Sequence, residues 1–164
     1  MKFLKHLLLT DTFLLRGHLN TGDQRLSTFL NTIPKSFLEM EEVTFVNRLL
    51  GQRTTAGRIL IRVEEILLAH ETETAGDEHM RVLAGKDRDE IQVVFRFGGA
   101  APFRISGVVS RRTIERDICS GHEFVVMTNP RIQGFGWGKS DEYAVWADLP
   151  YVIVNRNRIA LVIQ

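Results

Sequence analysis

Five histidines and one cysteine are the side chains of this 164-residue chain best suited to metal binding or nucleophilic catalysis. The stretch from His70 to His79 could bind a divalent ion through its imidazoles and carboxylates if it folded back on itself. The alternative is a solvated acidic segment. Cys119 lies near His122, but no acid is specified that would orient the imidazole, so the alternative to a thiol nucleophile is an inert small apolar side chain.

Pairs of adjacent carboxylates such as Glu41-Glu42 and Glu64-Glu65 could in principle share a proton. Both pairs fall in strand-like or corner settings, where neighbouring side chains point to opposite faces. They cannot act together as an acid and a base. We therefore expect a protein that is not an enzyme and that holds no cofactor and no metal.

An unusual local sequence, Gly134-Phe135-Gly136-Trp137-Gly138-Lys139, alternates glycine with aromatic residues. Such a loop can present its rings for stacking on a nucleic-acid base or on a protein partner. Nearby cations are supplied by Arg111, Arg112, Arg131 and Lys139. The alternative is a long hairpin connection in which Phe135 and Trp137 cover a barrel or a neighbouring subunit. The spacing does not match a phosphate-binding P-loop.

The composition is that of a soluble globular protein, with 44% hydrophobic and 25% charged residues. No apolar run approaches the roughly 20 residues that a membrane helix needs. Residues Met1 to Leu9 lack the long apolar core and the cleavage site of a signal peptide. A single cysteine excludes an internal disulfide and is typical of a reducing compartment. We expect a cytoplasmic protein without a membrane partner.

The charge is distributed in three blocks. Residues 1–70 balance to +2 and residues 91–164 to +3, while residues 71–90 carry seven acidic and three basic side chains and balance to −4. Neither basic block is basic enough to indicate nucleic-acid binding by charge alone. This pattern predicts two domains, 1–70 and 91–164, joined by an acidic linker over 71–90.

The same order of features occurs on both sides of the linker. Each block begins with a strand, a turn and a second strand, and Phe13 and Gly17 of the first block match Phe103 and Gly107 of the second. The further matches are Phe37-Leu38-Glu39-Met40 with Phe124-Val125-Val126-Met127, and Ile59-Leu60-Ile61 with Val152-Ile153-Val154. A tandem duplication of an all-β unit explains this order. Chance likeness between two β-rich segments is the alternative.

The first block resembles the Sm-like (LSm/Hfq-type) pattern over about residues 13 to 68. The residues that carry the resemblance are Gly17, Leu19, Asp23, Leu26, Ser27 and Leu30, followed by Ile61-Arg62 and Ile66-Leu67-Leu68. It implies a small five-stranded Sm-like or SH3-like barrel, in which Asp23 and Arg62 form a ligand-facing pair. Together with the duplication, this predicts two such barrels in tandem, with at most short helices. The alternative is a turn aspartate and an exposed strand arginine.

This chain also departs from the Sm-like pattern. Ser27 stands where the family has its RNA-contacting asparagine, and Val63 stands where a glycine follows the arginine. In the second block Thr113 and Asn155 replace the aspartate and the arginine. The resemblance therefore implies the fold rather than the family's oligo-U binding. Residues 25–38 are also similar to uncharacterised bacterial domains, which implies no activity.

Two functions follow from these patterns. The first is an interaction or assembly module, in which apolar strands such as Val152–Val154 pair between subunits, with a ring as one outcome. The second is binding of single-stranded RNA or DNA through Arg111, Arg112, Phe135, Trp137 and Lys139. The first partner that we expect is another copy of this chain, and the second is nucleic acid.

Overall fold

The computed structural model describes residues 5–34, 36–72, 85–95, 103–110, 123–134 and 141–164. In these residues the chain is mostly β-structure, which confirms the all-β prediction, and both helices are only seven residues long. The chain divides into two compact units, Met1–Ala75 and Gly76–Gln164, which are named the first and second units.

The first unit contains five antiparallel strands in the spatial order β5-β1-β2-β3-β4. Its elements are β1 (Lys5–Leu9), β2 (Phe13–Leu19), α1 (Leu26–Thr32), β3 (Phe37–Asn47), β4 (Arg53–Arg62), a 3₁₀ turn (Val63–Glu65) and β5 (Leu68–Glu71). Buried and more exposed residues alternate over most of β2 and the first half of β3, as in strands with one face towards a core.

The second unit has five antiparallel strands in the order β10-β6-β7-β8-β9. Its elements are β6 (Arg88–Phe95), β7 (Arg104–Ser110), β8 (Phe124–Gln133), α2 (Asp141–Ala147), β9 (Tyr151–Asn155), a 3₁₀ turn (Arg156–Arg158) and β10 (Ile159–Ile163). Two of its strands are longer than the sequence indicated, since β6 begins at Arg88 and β8 continues to Gln133.

The strand order of each unit is open. Among the described residues no strand pairing joins the two outermost strands of either unit, so the sheet does not close into the barrels that the sequence analysis expected. What the described residues establish in each unit is a four-stranded antiparallel meander, followed by a fifth strand that returns to pair with the first.

The turn between β1 and β2 is held by side-chain hydrogen bonds. The hydroxyl oxygen of Thr10 accepts from the backbone N–H of Phe13 at 2.9 Å, a common device of turn threonines. Arg48, which follows β3, donates from one guanidinium nitrogen to the carbonyl oxygens of Thr10 and Asp11, both at 2.9 Å. The turn at the start of the meander is therefore held both by Thr10 within it and by Arg48 from the end of β3.

The strand pairings of the two units have the same registers. Residues that occupy the same place in these registers are equivalent residues of the two units. The matching pairs are Leu9↔Leu14 with Val94↔Arg104, Leu14↔Val46 with Arg104↔Gln133, Met40↔Ile59 with Met127↔Val152, and Leu8↔Ala69 with Val93↔Val162.

An irregularity in the strand pairing also recurs. The β2–β3 register shifts between Arg16 and His18, around Gly17, and the β7–β8 register shifts between Ser106 and Val108, around Gly107. The residues opposite these shifts are Glu42 and Asn129, and among the described residues they are the two non-glycine residues with positive φ, both at 50°. A bulge of this kind bends and twists a strand, so both units bend at the same point.

Candidate interaction surface

The structure places the Sm-like pair of the sequence analysis on the surface of the first unit. Asp23 is exposed and lies in the turn between β2 and α1, where the N–H of Gln24 donates to the carbonyl of Thr21 at 3.2 Å. Arg62 is the last residue of β4 and is also exposed. No contact links the two side chains in the described residues, so a shared ligand pocket stays a prediction.

Two of the three exposed arginines of β4 pair with carboxylates. A guanidinium nitrogen of Arg62 lies 2.9 Å from a carboxylate oxygen of Glu64, and the same guanidinium stands 5.8 Å from the ring centre of Phe37. Arg58 pairs in the same way with Glu39. Paired cations make a weaker phosphate-binding surface than clustered, unpaired ones.

The nucleic-acid prediction depends on a different part of the chain. Arg111, Arg112, Phe135, Trp137 and Lys139 lie outside the described residues, as do Cys119, His122 and residues 73–79 of the possible metal site. Of the cations predicted to support the glycine–aromatic loop, Arg131 is described, and it is an exposed residue of β8. Nucleic-acid binding therefore stays a prediction.

β4 is an exposed outermost strand. It pairs with β3 along almost its whole length, and it is the last strand in the order of the first unit. Of its ten residues Ile61 alone is buried, and the side chain of Leu60 is 62% exposed. An outermost strand presents unpaired backbone N–H and C=O groups, to which another strand can add.

β10 is the exposed outermost strand of the second unit, where it pairs with β6. Leu161, Val162 and Ile163 have exposed side chains, and Leu161 reaches 60%. The strand Ile159–Ile163 carries no charge and no proline, the features with which natural proteins usually protect an edge. A run of exposed, uncharged strand residues is a typical site of strand addition.

The other two outermost strands are buried. All four residues of β5 and all five residues of β9 are buried, including Val152, Ile153 and Val154. The prediction that Val152–Val154 offers an edge for association is therefore wrong in its choice of strand. β9 and β10 are both apolar in sequence, and the exposed member of the pair is β10.

Buried polar residues of the first unit hold its helix against the sheet. His6 and Glu71 are direct neighbours across β1 and β5, and both are buried. The backbone N–H of Leu19 donates to Nδ1 of His6 at 3.1 Å, and the N–H of Leu26 donates to a carboxylate oxygen of Glu71 at 2.5 Å. Since Leu26 opens α1, Glu71 satisfies a backbone donor at the start of that helix.

The position of Glu71 corrects the sequence analysis, which assigned it to a solvated linker. It is the last residue of β5 and 3% exposed. A carboxylate is buried in proteins when hydrogen bonds compensate its desolvation, and the N–H of Leu26 provides one here. The cluster has a structural role: it fixes the helix that separates β2 from β3.

We expect Glu71→Ala to lower the free energy of unfolding by about 1–3 kcal/mol, because the buried N–H of Leu26 loses its acceptor. Glu71→Gln keeps an acceptor oxygen in the same place and should lose less. Chemical denaturation of the two variants beside the unaltered chain measures the difference. Equal midpoints for all three chains would contradict the assigned role.

The described residues contain no group of three or more His, Cys, Asp or Glu side chains placed to hold a metal ion. Among the same residues, neither helix has the length and apolar character needed to cross a membrane.

The fold and the exposed strands together define a class: an all-β protein of two five-stranded units, each with one open edge. No protein-family model matches the chain, and neither a curated protein nor a solved structure does. The features that the sequence analysis missed are the exposure of β10 and the burial of Glu71. A signal for β10 was available, since Ile159–Ile163 is an uncharged strand without proline.

Proposed function

We propose that this protein is a non-enzymatic assembly module whose chains join by strand addition, with β4 of one chain pairing with β10 of the next. The observation that carries the proposal is that these two strands are exposed while the other outermost strands, β5 and β9, are buried. Pairing between chains would satisfy backbone groups on both edges and would cover Leu60 and Leu161.

The equivalence of the two units supports pairing between unlike strands. In the shared registers β4 is equivalent to β9 and β5 is equivalent to β10. Each chain therefore exposes one strand of each kind. Two copies of β4, aligned antiparallel, would bring arginines of one chain near arginines of the other, whereas β10 carries no charge.

Contacts between unlike surfaces are heterologous, and each added chain presents a fresh copy of the second surface. Such contacts produce a ring when the rotation between chains closes and an open filament when it does not. In this proposal the two units are diverged copies of one ancestral unit of Sm-like type. The matching registers, the equivalent glycines and the equivalent bulges support that origin.

Light scattering during size-exclusion chromatography tests the proposal. We expect the unaltered chain to elute with a mass several times that of one chain, and Leu161→Lys to elute as a single chain, because an unpaired ammonium group would be desolvated in the new sheet. Leu49→Lys is the matched control. Leu49 is 75% exposed, lies in the β3–β4 turn and should leave assembly unchanged.

A single-chain mass for the unaltered protein would contradict the proposal. Assembly of the Leu161→Lys chain to the same extent as the Leu49→Lys control would also contradict it.

A further inference from the structure

A cavity of about 270 Å³ opens into the second unit, apart from the polar contacts described above. Its deep part is lined by Val93, Val125, Met127 and Val154, all of which are buried. Its mouth is formed by Arg156 at the 3₁₀ turn and by the exposed residues Leu161 and Val162 of β10. Protein interiors rarely keep voids of this size, because unfilled space forfeits packing contacts.

Comparison with the first unit shows which side chains leave this space. The residues equivalent to Val93, Val125 and Val154 are Leu8, Leu38 and Ile61, and all three are buried. Each valine is one methylene smaller than its equivalent. The second unit therefore has a core of the same design with less side-chain volume in it.

The mouth of the cavity also differs between the units. The N–H of Val63 donates to the carbonyl of Ser36 at 3.0 Å, and the N–H of Arg156 donates to that of Glu123 at 2.8 Å, so Val63 and Arg156 occupy equivalent backbone positions. Val63 is buried among the apolar residues of its unit. Arg156 places a guanidinium group where the first unit has an isopropyl group.

The lining specifies the chemistry of an occupant. Among the described residues that line the cavity, Arg156 is the single charged one, and the others are aliphatic or methionine. A guanidinium group binds carboxylates through paired hydrogen bonds, while an aliphatic wall favours a hydrocarbon chain. Part of the cavity volume is open to solvent, and the rest has room for several methylene groups of a hydrocarbon chain.

We propose that the second unit binds a linear aliphatic carboxylate of medium chain length, with its hydrocarbon chain in the cavity and its carboxylate at Arg156. This site goes beyond the proposed assembly. The first unit has Leu8, Leu38, Ile61 and Val63 at the equivalent positions, so we expect its larger core side chains and the missing guanidinium group to disfavour the same ligand.

Isothermal titration calorimetry of the full chain with decanoate, kept below its micelle-forming concentration, tests the site. We expect one saturable site per chain. Val93→Leu together with Val125→Leu installs the first unit's residues and should weaken binding by about tenfold or more, because the added methylenes occupy the ligand's space. Leu49→Lys lies in the β3–β4 turn of the other unit and should bind as the unaltered chain does.

The role of Arg156 is tested separately. Arg156→Val should weaken decanoate binding by about tenfold while leaving decanol binding unchanged, because decanol has the same chain without the charge. Arg158→Val is the matched control, since Arg158 belongs to the same 3₁₀ turn but does not line the cavity. It should bind decanoate as the unaltered chain does.

Three results would overturn the proposal: no saturable heat with the unaltered chain, equal affinity in the cavity-filled variant, or equal losses for decanoate and decanol in Arg156→Val. The last result compares decanoate with decanol on the Arg156→Val chain alone, so it still tests the proposal if the cavity-filled variant fails to fold.

Discussion

Gly17→Ala and Gly107→Ala are each expected to lower the free energy of unfolding by about 1–3 kcal/mol, as overpacked side chains typically do. A Cβ at position 17 would lie 2.7 Å from the carbonyl oxygen of Glu41 and 3.0 Å from Cγ2 of Val43. The first contact is with backbone, which cannot rotate away. The bulge opposite Gly17 would have to move.

At position 107 the added Cβ would lie 2.6 Å from Cγ of Met127 and 2.8 Å from the carbonyl oxygen of Thr128. Methionine is flexible and can yield, but the backbone oxygen again cannot. We therefore expect the glycine-to-alanine substitution to destabilise both units, at β2–β3 in the first and at the equivalent pair β7–β8 in the second. This is the strongest stability test of their equivalence.

Gly57→Ala is the matched control. Gly57 also lies within a strand, and a Cβ added there would meet no atom within 4 Å. Because alanine restricts the unfolded chain more than glycine does, this variant should be unchanged or gain about 0.4–1 kcal/mol. Urea denaturation followed by circular dichroism compares the three variants. Gly17→Ala and Gly107→Ala unfolding at the midpoint of Gly57→Ala would contradict the close approach.

The strands and the equivalence of Gly17 and Gly107 could be predicted from the sequence because their signals are local. Gly17 and Gly107 interrupt runs of apolar strand residues, and a glycine in a strand often marks a bulge or a close backbone approach. The matched runs around Met40 and Met127 occupy equivalent places on β3 and β8. These features depend only on residues a few positions away, so the spacing of apolar residues and glycines in the sequence is enough to predict them.

The buried polar residues could not be predicted because their partners are distant in sequence. Glu71 accepts from Leu26, which lies 45 residues earlier, and charged neighbours made it resemble part of a linker. His6 is fully buried and is equivalent to Ile91, although hydrophobicity would not align the two. Its hydrogen bond from the N–H of Leu19 makes that burial possible.

The exposed edge and the cavity depend on packing. β9 and β10 have similar apolar sequences, and what packs against each strand decides which of them is exposed. The cavity follows from single methylenes at Val93, Val125 and Val154, a difference that leaves the hydrophobic pattern unchanged. The sequence predicted an apolar strand edge at Val152–Val154, which is buried, whereas the exposed apolar strand is β10.

Two chains blocked on opposite edges are expected to rescue each other. Leu60→Lys blocks β4 and leaves β10 intact, while Leu161→Lys blocks β10 and leaves β4 intact. In a heterologous assembly every contact needs one intact strand of each kind. Each variant alone should therefore remain a single chain. A mixture contains both intact strands on different chains, so one contact can form.

The mixture should stop at a pair. Once the intact β10 of a Leu60→Lys chain has joined the intact β4 of a Leu161→Lys chain, both remaining edges of the pair are blocked. Self-pairing of β10 would behave differently, because Leu60→Lys alone would then form dimers. The Leu49→Lys chain keeps both edges and, on its own, should assemble as the unaltered chain does.

Sedimentation velocity of the equimolar mixture is the most direct measurement of head-to-tail assembly through β4 and β10. Head-to-tail assembly predicts single chains for each variant alone and a one-to-one pair, with nothing larger, for the mixture. A mixture that sediments as single chains, or either variant forming dimers on its own, would contradict it.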